Sequence, residues 1–142
     1  MTEDETRKLV TEVKSEFEKF TEYSQRAQLD SFLSYYQNAP EFLHISSDGK
    51  MRNYEEFKTI CTEYYQSLAR QQISTTKERF HIIDTNTVII GWTGNIIAWF
   101  RNGDMMEMNN YSVTNVIKRI AGRWKIIHSH ESSLPPEMIT KG

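Results

Sequence analysis

The stretch G-R-W-K-I-I-H-S-H-E-S-S-L-P, residues 122–135, decides the reading of this chain. It follows a tight Ala121-Gly122 turn and is stopped by Pro135-Pro136. Between those limits Trp124, Ile126, Ile127 and two histidines have the composition of a β-strand. Side chains on a strand point alternately to its two faces. Strict alternation puts Trp124, Ile126, His128, His130 and Ser132 on one face, and Lys125, Ile127, Ser129 and Glu131 on the other. A face that runs from Trp and Ile into His-x-His closes a core at one end and lines a hollow at the other.

Upstream of that strand the pattern alternates back to about residue 75. Residues 105–120 and 87–101 read as long strands, joined by Asn102-Gly103, a strong hairpin signal. Gly91 and Gly94 suggest a bulge or bend in a curved sheet. Residues 78–84 form a further strand. Before residue 75 the period is helical. Leu9, Val13, Phe17 and Phe20 mark a helix over residues 2–23, with Thr2 and Glu5 at capping-box spacing. Leu29, Phe32, Leu33 and Tyr36 mark a short second helix, ended by Asn38-Ala39-Pro40. Residues 41–46 are a short strand with Phe42, His44 and Ser46 on one face, and a Ser47-Asp48-Gly49-Lys50 turn folds Met51-Arg52 back onto it. Asn53 and Glu56 then cap a third helix, whose buried stripe is Phe57, Ile60, Cys61, Tyr64 and Leu68 and which fades near residues 71–72. Three helices followed by an antiparallel meander indicate an α+β class, with the helices on one face of a strongly curved, mostly antiparallel sheet. One domain is expected over residues 1–142, with its core at about 5–134.

Composition narrows the function. The 142 residues are 38% hydrophobic and 12% aromatic, which excludes disorder. The net charge of −2 and the lack of basic runs argue against nucleic acid and anionic membrane surfaces as partners. The lone Cys61 permits no intrachain disulfide and reads as a small core residue. The first eight residues are mostly charged or polar, so no secretory leader is expected, and no apolar run reaches bilayer length. A cytoplasmic setting follows as the default.

Three features together resemble a known superfamily. They are Tyr35-Tyr36-Gln37-Asn38-Ala39-Pro40 after a helix pair, the Asp48-Gly49 turn before a capped helix, and above all the closing residues 122–132. These resemble the SnoaL-like branch of the nuclear transport factor 2-like superfamily. The closing strand is also similar to that of the calcium/calmodulin-dependent kinase II association domain. The resemblance covers roughly residues 5–134. It implies a cone, a curved sheet wrapped around a long helix with a pocket at its wide end, as in ketosteroid isomerase. Relatives include cyclases and epoxide hydrolases as well as transport and oligomerisation domains, and many pair through the sheet as homodimers. Isomerase-type relatives place an acidic base on the first short strand and an acid on a later one. Here the first short strand offers His44, and the later position falls near Thr114 or Asn115, neither acidic. The isomerase mechanism is therefore not carried over.

The candidate residues follow from the alternation and the resemblance together. His44 and His128 are candidate proton-transfer groups, since imidazole exchanges protons near neutral pH. Tyr36, Asn110, Ser112, Thr114 and His130 are candidate ligand contacts, the polar middle of residues 109–115 needing partners if buried. The structural alternative for the histidines is anchorage of a loop or a dimer face. Trp92, Phe100, Met106 and Met108 read as sheet core, or else as an adaptable apolar wall. Arg101 and Arg119 read as structural ion-pair partners. A metal site from His128, His130 and His44 or Glu131 lacks a third ligand at diagnostic spacing, so no metal and no cofactor is expected. The expected function is binding of a small apolar or aromatic ligand, with the activity left unassigned between an isomerase- or cyclase-like enzyme and a binding protein. The alternative is a non-catalytic oligomerisation domain.

Overall fold

The computed structural model describes residues 1–139. Helix α1 spans Glu3–Gln25, and the Thr2 side chain accepts the Glu5 amide at 3.1 Å. The five-residue α2 is Leu29–Leu33. Strands β1 (Leu43–Ile45) and β2 (Met51–Arg52) form the expected hairpin, and α3 follows at Tyr54–Ser67. The capping box at α3 is complete: Glu56 N donates to Asn53 Oδ1 at 2.9 Å and Asn53 N to the Glu56 carboxylate at 3.1 Å. The meander is β3 (Leu68–Asp84), β4 (Thr87–Phe100), β5 (Met105–Ile120) and β6 (Arg123–Ser132), and β7 is Glu137–Ile139.

The sheet order is β2-β1-β6-β5-β4-β3, with β7 pairing β5 beyond the end of β6. All neighbours are antiparallel except β1 and β6. The helices cover one face of this curved sheet. At one end Leu9 and Val13 of α1 pack into a cluster with Val88, Ile90, Ile117 and Ile126. Glu12 ties the helix to the sheet. It accepts Trp124 Nε1 at 3.0 Å and pairs with Arg119 at 3.3 Å, so Arg119 is a structural ion-pair residue. No helix among the described residues is long and apolar enough to cross a membrane.

The structure departs from the alternating pattern in four places. First, the helix-to-strand change falls at Ser67/Leu68, not near residue 75. Residues 69–72 have little strand preference of their own, but Arg70, Gln71 and Gln72 pair with Trp99, Ala98 and Ile97, and that pairing imposes the extended backbone. Second, β7 resumes pairing after Pro135-Pro136, where a stop was expected.

The third and fourth departures are β-bulges that decide the site. On β6, His128 pairs with Val116 and Ile126 with Ile117, so Ile127 is an extra residue. Beyond it the faces exchange: Trp124 and Ile126 are buried, but so is Ser129, while His130 is exposed. On β5, Tyr111 pairs with Gly94 and Met108 with Ile96, so two residues oppose Asn95 alone. Asn110 sits there at φ 53°, and its amide donates to the Asn95 side chain at 3.1 Å. The expected shared face of Trp124, Ile126, His128 and His130 is thus corrected, because one inserted residue reverses the alternation.

Gly94 sits opposite the second bulge. A Cβ there would lie 2.1 Å from the Ser74 carbonyl oxygen and 2.6 Å from the Trp92 ring. Gly94→Ala is expected to destabilise the fold by about 3 kcal/mol through overpacking in urea unfolding followed by tryptophan fluorescence. A change within experimental error would show that this strand crossing can relax.

Candidate functional site

Between the helices and the sheet lies a cavity of about 270 Å³. Its walls are aromatic: Phe20 and Phe32 from the first two helices, Phe57, Tyr64 and Tyr65 from α3, and Trp92 and Tyr111 from the sheet. Tyr36 closes one side, with its ring 4.6 Å from Phe57, in the segment after α2 that bridges to Ile126. Aromatic side chains at these positions follow from the stripes of α2 and α3, which must face inward to bury them.

Buried polar side chains of the sheet lie at and beside this cavity. His44 on β1, Ser129 on β6 and Asn115 on β5 stand in register across three adjacent strands. They are 1%, 0% and 3% exposed. Both His44 nitrogens, Asn115 Oδ1 and Ser129 Oγ lack hydrogen-bond partners. Two residues along β6, Glu131 also faces inward, and its carboxylate lies 3.5 Å from His44 Nε2. That distance is within ion-pair reach but outside hydrogen-bond geometry. The His44 ring is braced by Phe57 at 4.5 Å.

At another part of the wall the polar groups are fully paired. Tyr64 Oη donates to Gln71 Oε1 at 2.9 Å, Gln71 Nε2 donates to Ser24 Oγ at 2.8 Å, and Ser24 Oγ and Tyr65 Oη are 2.8 Å apart. Burial is the main force on the acidities of the cavity. It raises the Tyr36, Tyr64, Tyr65 and Tyr111 hydroxyls and the Cys61 thiol above their ordinary values, and the Glu131 charge adds to each shift. The phenols therefore stay protonated and able to donate.

Of the residues singled out in the sequence, His44 and Tyr36 line the cavity, as do Trp92 and Met108 of the suggested apolar wall. His128, His130, Asn110, Ser112 and Thr114 do not. The two bulges bring Glu131, Tyr111, Val113 and Asn115 to the cavity in their place, and bury Ser129 without bringing it to the wall. Glu131 is the one carboxylate among the described residues that line the cavity. Among the described residues no cluster of three His, Cys, Asp or Glu side chains is arranged to hold a metal.

The model of the SnoaL-like domain matches residues 13–136. No curated protein matches the sequence. A nuclear transport factor 2-like protein from Salmonella enterica superposes with a TM-score of 0.75 at 16% identity, covering 90% of this chain and 92% of that one. A protein from Novosphingobium aromaticivorans assigned as a scytalone dehydratase gives 0.78 at 5% identity, over 99% and 94%. The association domain of calcium/calmodulin-dependent kinase II from C. elegans gives 0.70 at 14% identity, over 92% and 99%. These likenesses show the cone fold.

The raised hydroxyls carry a stability consequence. A phenol whose folded pKa lies above its unfolded value stabilises the fold fully below the unfolded value, and that contribution is lost as pH rises further. Tyr35, held up to about 12 by burial and by Glu16, behaves in the same way. The melting temperature by circular dichroism is expected to hold level up to about pH 9 and to fall through about pH 10–12. A level profile across that window would contradict the buried, protonated phenols.

Proposed function

The chain belongs to the SnoaL-like domain family, and on that premise we propose that it binds a small ring-bearing molecule in the aromatic cavity and moves a proton on it with His44. The observation that carries this reading is the His44–Glu131 pair, a buried imidazole 3.5 Å from a carboxylate at the wall of that cavity. A carboxylate beside an imidazole orients the ring and stabilises the imidazolium that forms when it takes a proton. In this role His44 removes a proton from a carbon next to a carbonyl, and Glu131 holds the charged ring in place. The protonated hydroxyl of Tyr36 is suited to donate to the oxygen on which negative charge then develops, while that of Tyr111 is held by Glu131. Return of the proton to another carbon is an isomerisation, and departure of a neighbouring hydroxyl as water is a dehydration. The likeness to a protein assigned as a dehydratase supports the second. The oligomerisation alternative draws on the likeness to the association domain, whose 14% identity speaks to fold.

Deuterium uptake next to the carbonyl of cyclic ketones, followed by proton NMR in heavy water, tests the chemistry without knowledge of the natural substrate. The chain is expected to speed uptake for at least one two-ring ketone, and His44→Ala to lower that rate by about a hundredfold or more with circular dichroism unchanged. Uptake that is insensitive to His44→Ala would remove the histidine from the reaction.

A further inference from the structure

The charge of the cavity is unbalanced. Among the described residues that line it there is one carboxylate, Glu131, and no lysine or arginine. The guanidinium of Arg52 lies behind Ser46 and is already engaged, with Nη2 2.8 Å from Asp48 Oδ2 and Nη1 2.7 Å from Ser46 Oγ. Among the described residues His44 is the sole ion-pair partner of Glu131, and no hydrogen bond joins the two. Asn115, on the same wall and 3% exposed, has a buried side-chain oxygen with no hydrogen-bond partner.

The walls point the same way. Trp92 and Tyr111 meet edge to face at 6.3 Å, and Tyr36, Phe57 and Tyr64 add further rings. Aromatic faces carry negative potential and attract cations, most strongly where water is excluded. The Glu131 charge reaches the hydroxyls of Tyr36, Tyr64, Tyr65 and Tyr111, each of which it helps to keep protonated. An anion entering this space meets an uncompensated carboxylate. A neutral molecule leaves that charge with the Tyr111 hydroxyl as its donor and no cation to balance it. A protonated His44 would compensate the Glu131 charge, yet would leave the Asn115 oxygen without a donor. One organic group answers every one of these features, an ammonium.

Resting on the binding role above, we propose that the molecule held in the cavity carries a protonated primary or secondary amine on its ring skeleton. The ammonium sits against Glu131, donates to Asn115 Oδ1 and faces the surrounding rings. Glu131 then faces the ammonium as well as His44 and the Tyr111 hydroxyl. The amine anchors the ligand, while His44 remains the group that takes the proton from carbon.

Three probes with one skeleton separate this inference from the binding role on which it rests. They are 1-naphthylmethylamine, 1-naphthylmethanol and 1-naphthoate, titrated calorimetrically into the full chain at about pH 7, where the amine is charged. The ammonium is expected to bind about tenfold or more tighter than the alcohol, and the carboxylate to bind least. In Glu131→Gln the ratio between amine and alcohol should collapse towards unity. An alcohol as tight as the amine in the native chain, or a preference that survives Glu131→Gln, overturns the amine assignment and leaves the cavity's binding role standing. Failure of all three probes to bind overturns both. The native-chain ratio stands alone should the variant not fold.

Discussion

The site depends on a geometric constraint of strands: one inserted residue reverses the face of every side chain after it. Ile127 does this on β6 and the Asn109-Asn110 pair does it on β5. Without the first, Glu131 would face away from His44 and two histidines would occupy the interior. Without the second, Tyr111 and Asn115 would leave the cavity. The bulges also supply local bending, which a sheet needs if it is to wrap around a helix. Curvature and site composition thus share one cause. Gly94, beside the β5 bulge, lets the crossing strands approach where any side chain would meet backbone.

The sheet beneath and beside the cavity is not built for stability. His44, Ser129 and Asn115 occupy adjoining strands in register, where aliphatic side chains would bury well. Instead they leave unpaired polar atoms, each costing about 1–3 kcal/mol when no partner is present. The fully satisfied group around Gln71, Ser24, Tyr64 and Tyr65 makes the contrast clear. The group around Gln71 completes its polar pairing, whereas buried polar atoms stay unpaired next to Glu131 and at Arg119 Nε. Local departures from good packing chemistry of this kind concentrate at functional sites. The tie from Glu12 to Trp124 and Arg119, together with the apolar cluster on α1, holds the other end closed.

Much of the architecture was legible in the sequence. The complete capping box at Asn53 and Glu56, the Asn102-Gly103 hairpin and the Ala121-Gly122 turn each follow from local chemistry, and the structure has all three. His44 lies at the cavity on β1, a three-residue strand with no bulge to change its face. The residues beyond the bulges were misplaced because strict alternation was carried through them. Two signals marked those points. Ile126 and Ile127 are adjacent apolar residues in a strand with one buried face, and Asn109-Asn110 is a pair suited to positive φ inside a strand. Glu131 had no signal of its own; its inward direction is a consequence of Ile127. Strand β7 and the early start of β3 arise from pairing with distant partners, which local preference does not encode.

Residue-resolved labelling of the four histidines with diethyl pyrocarbonate tests the bulge directly, since it reads which imidazoles face water. His81, exposed on β3, serves as the internal reference. His130 is expected to label as fast as His81, His128 more slowly, and His44 only when the chain unfolds. Labelling of His44 at the rate of His81, or protection of both His128 and His130, would contradict the inverted strand and the His44–Glu131 pair that depends on it.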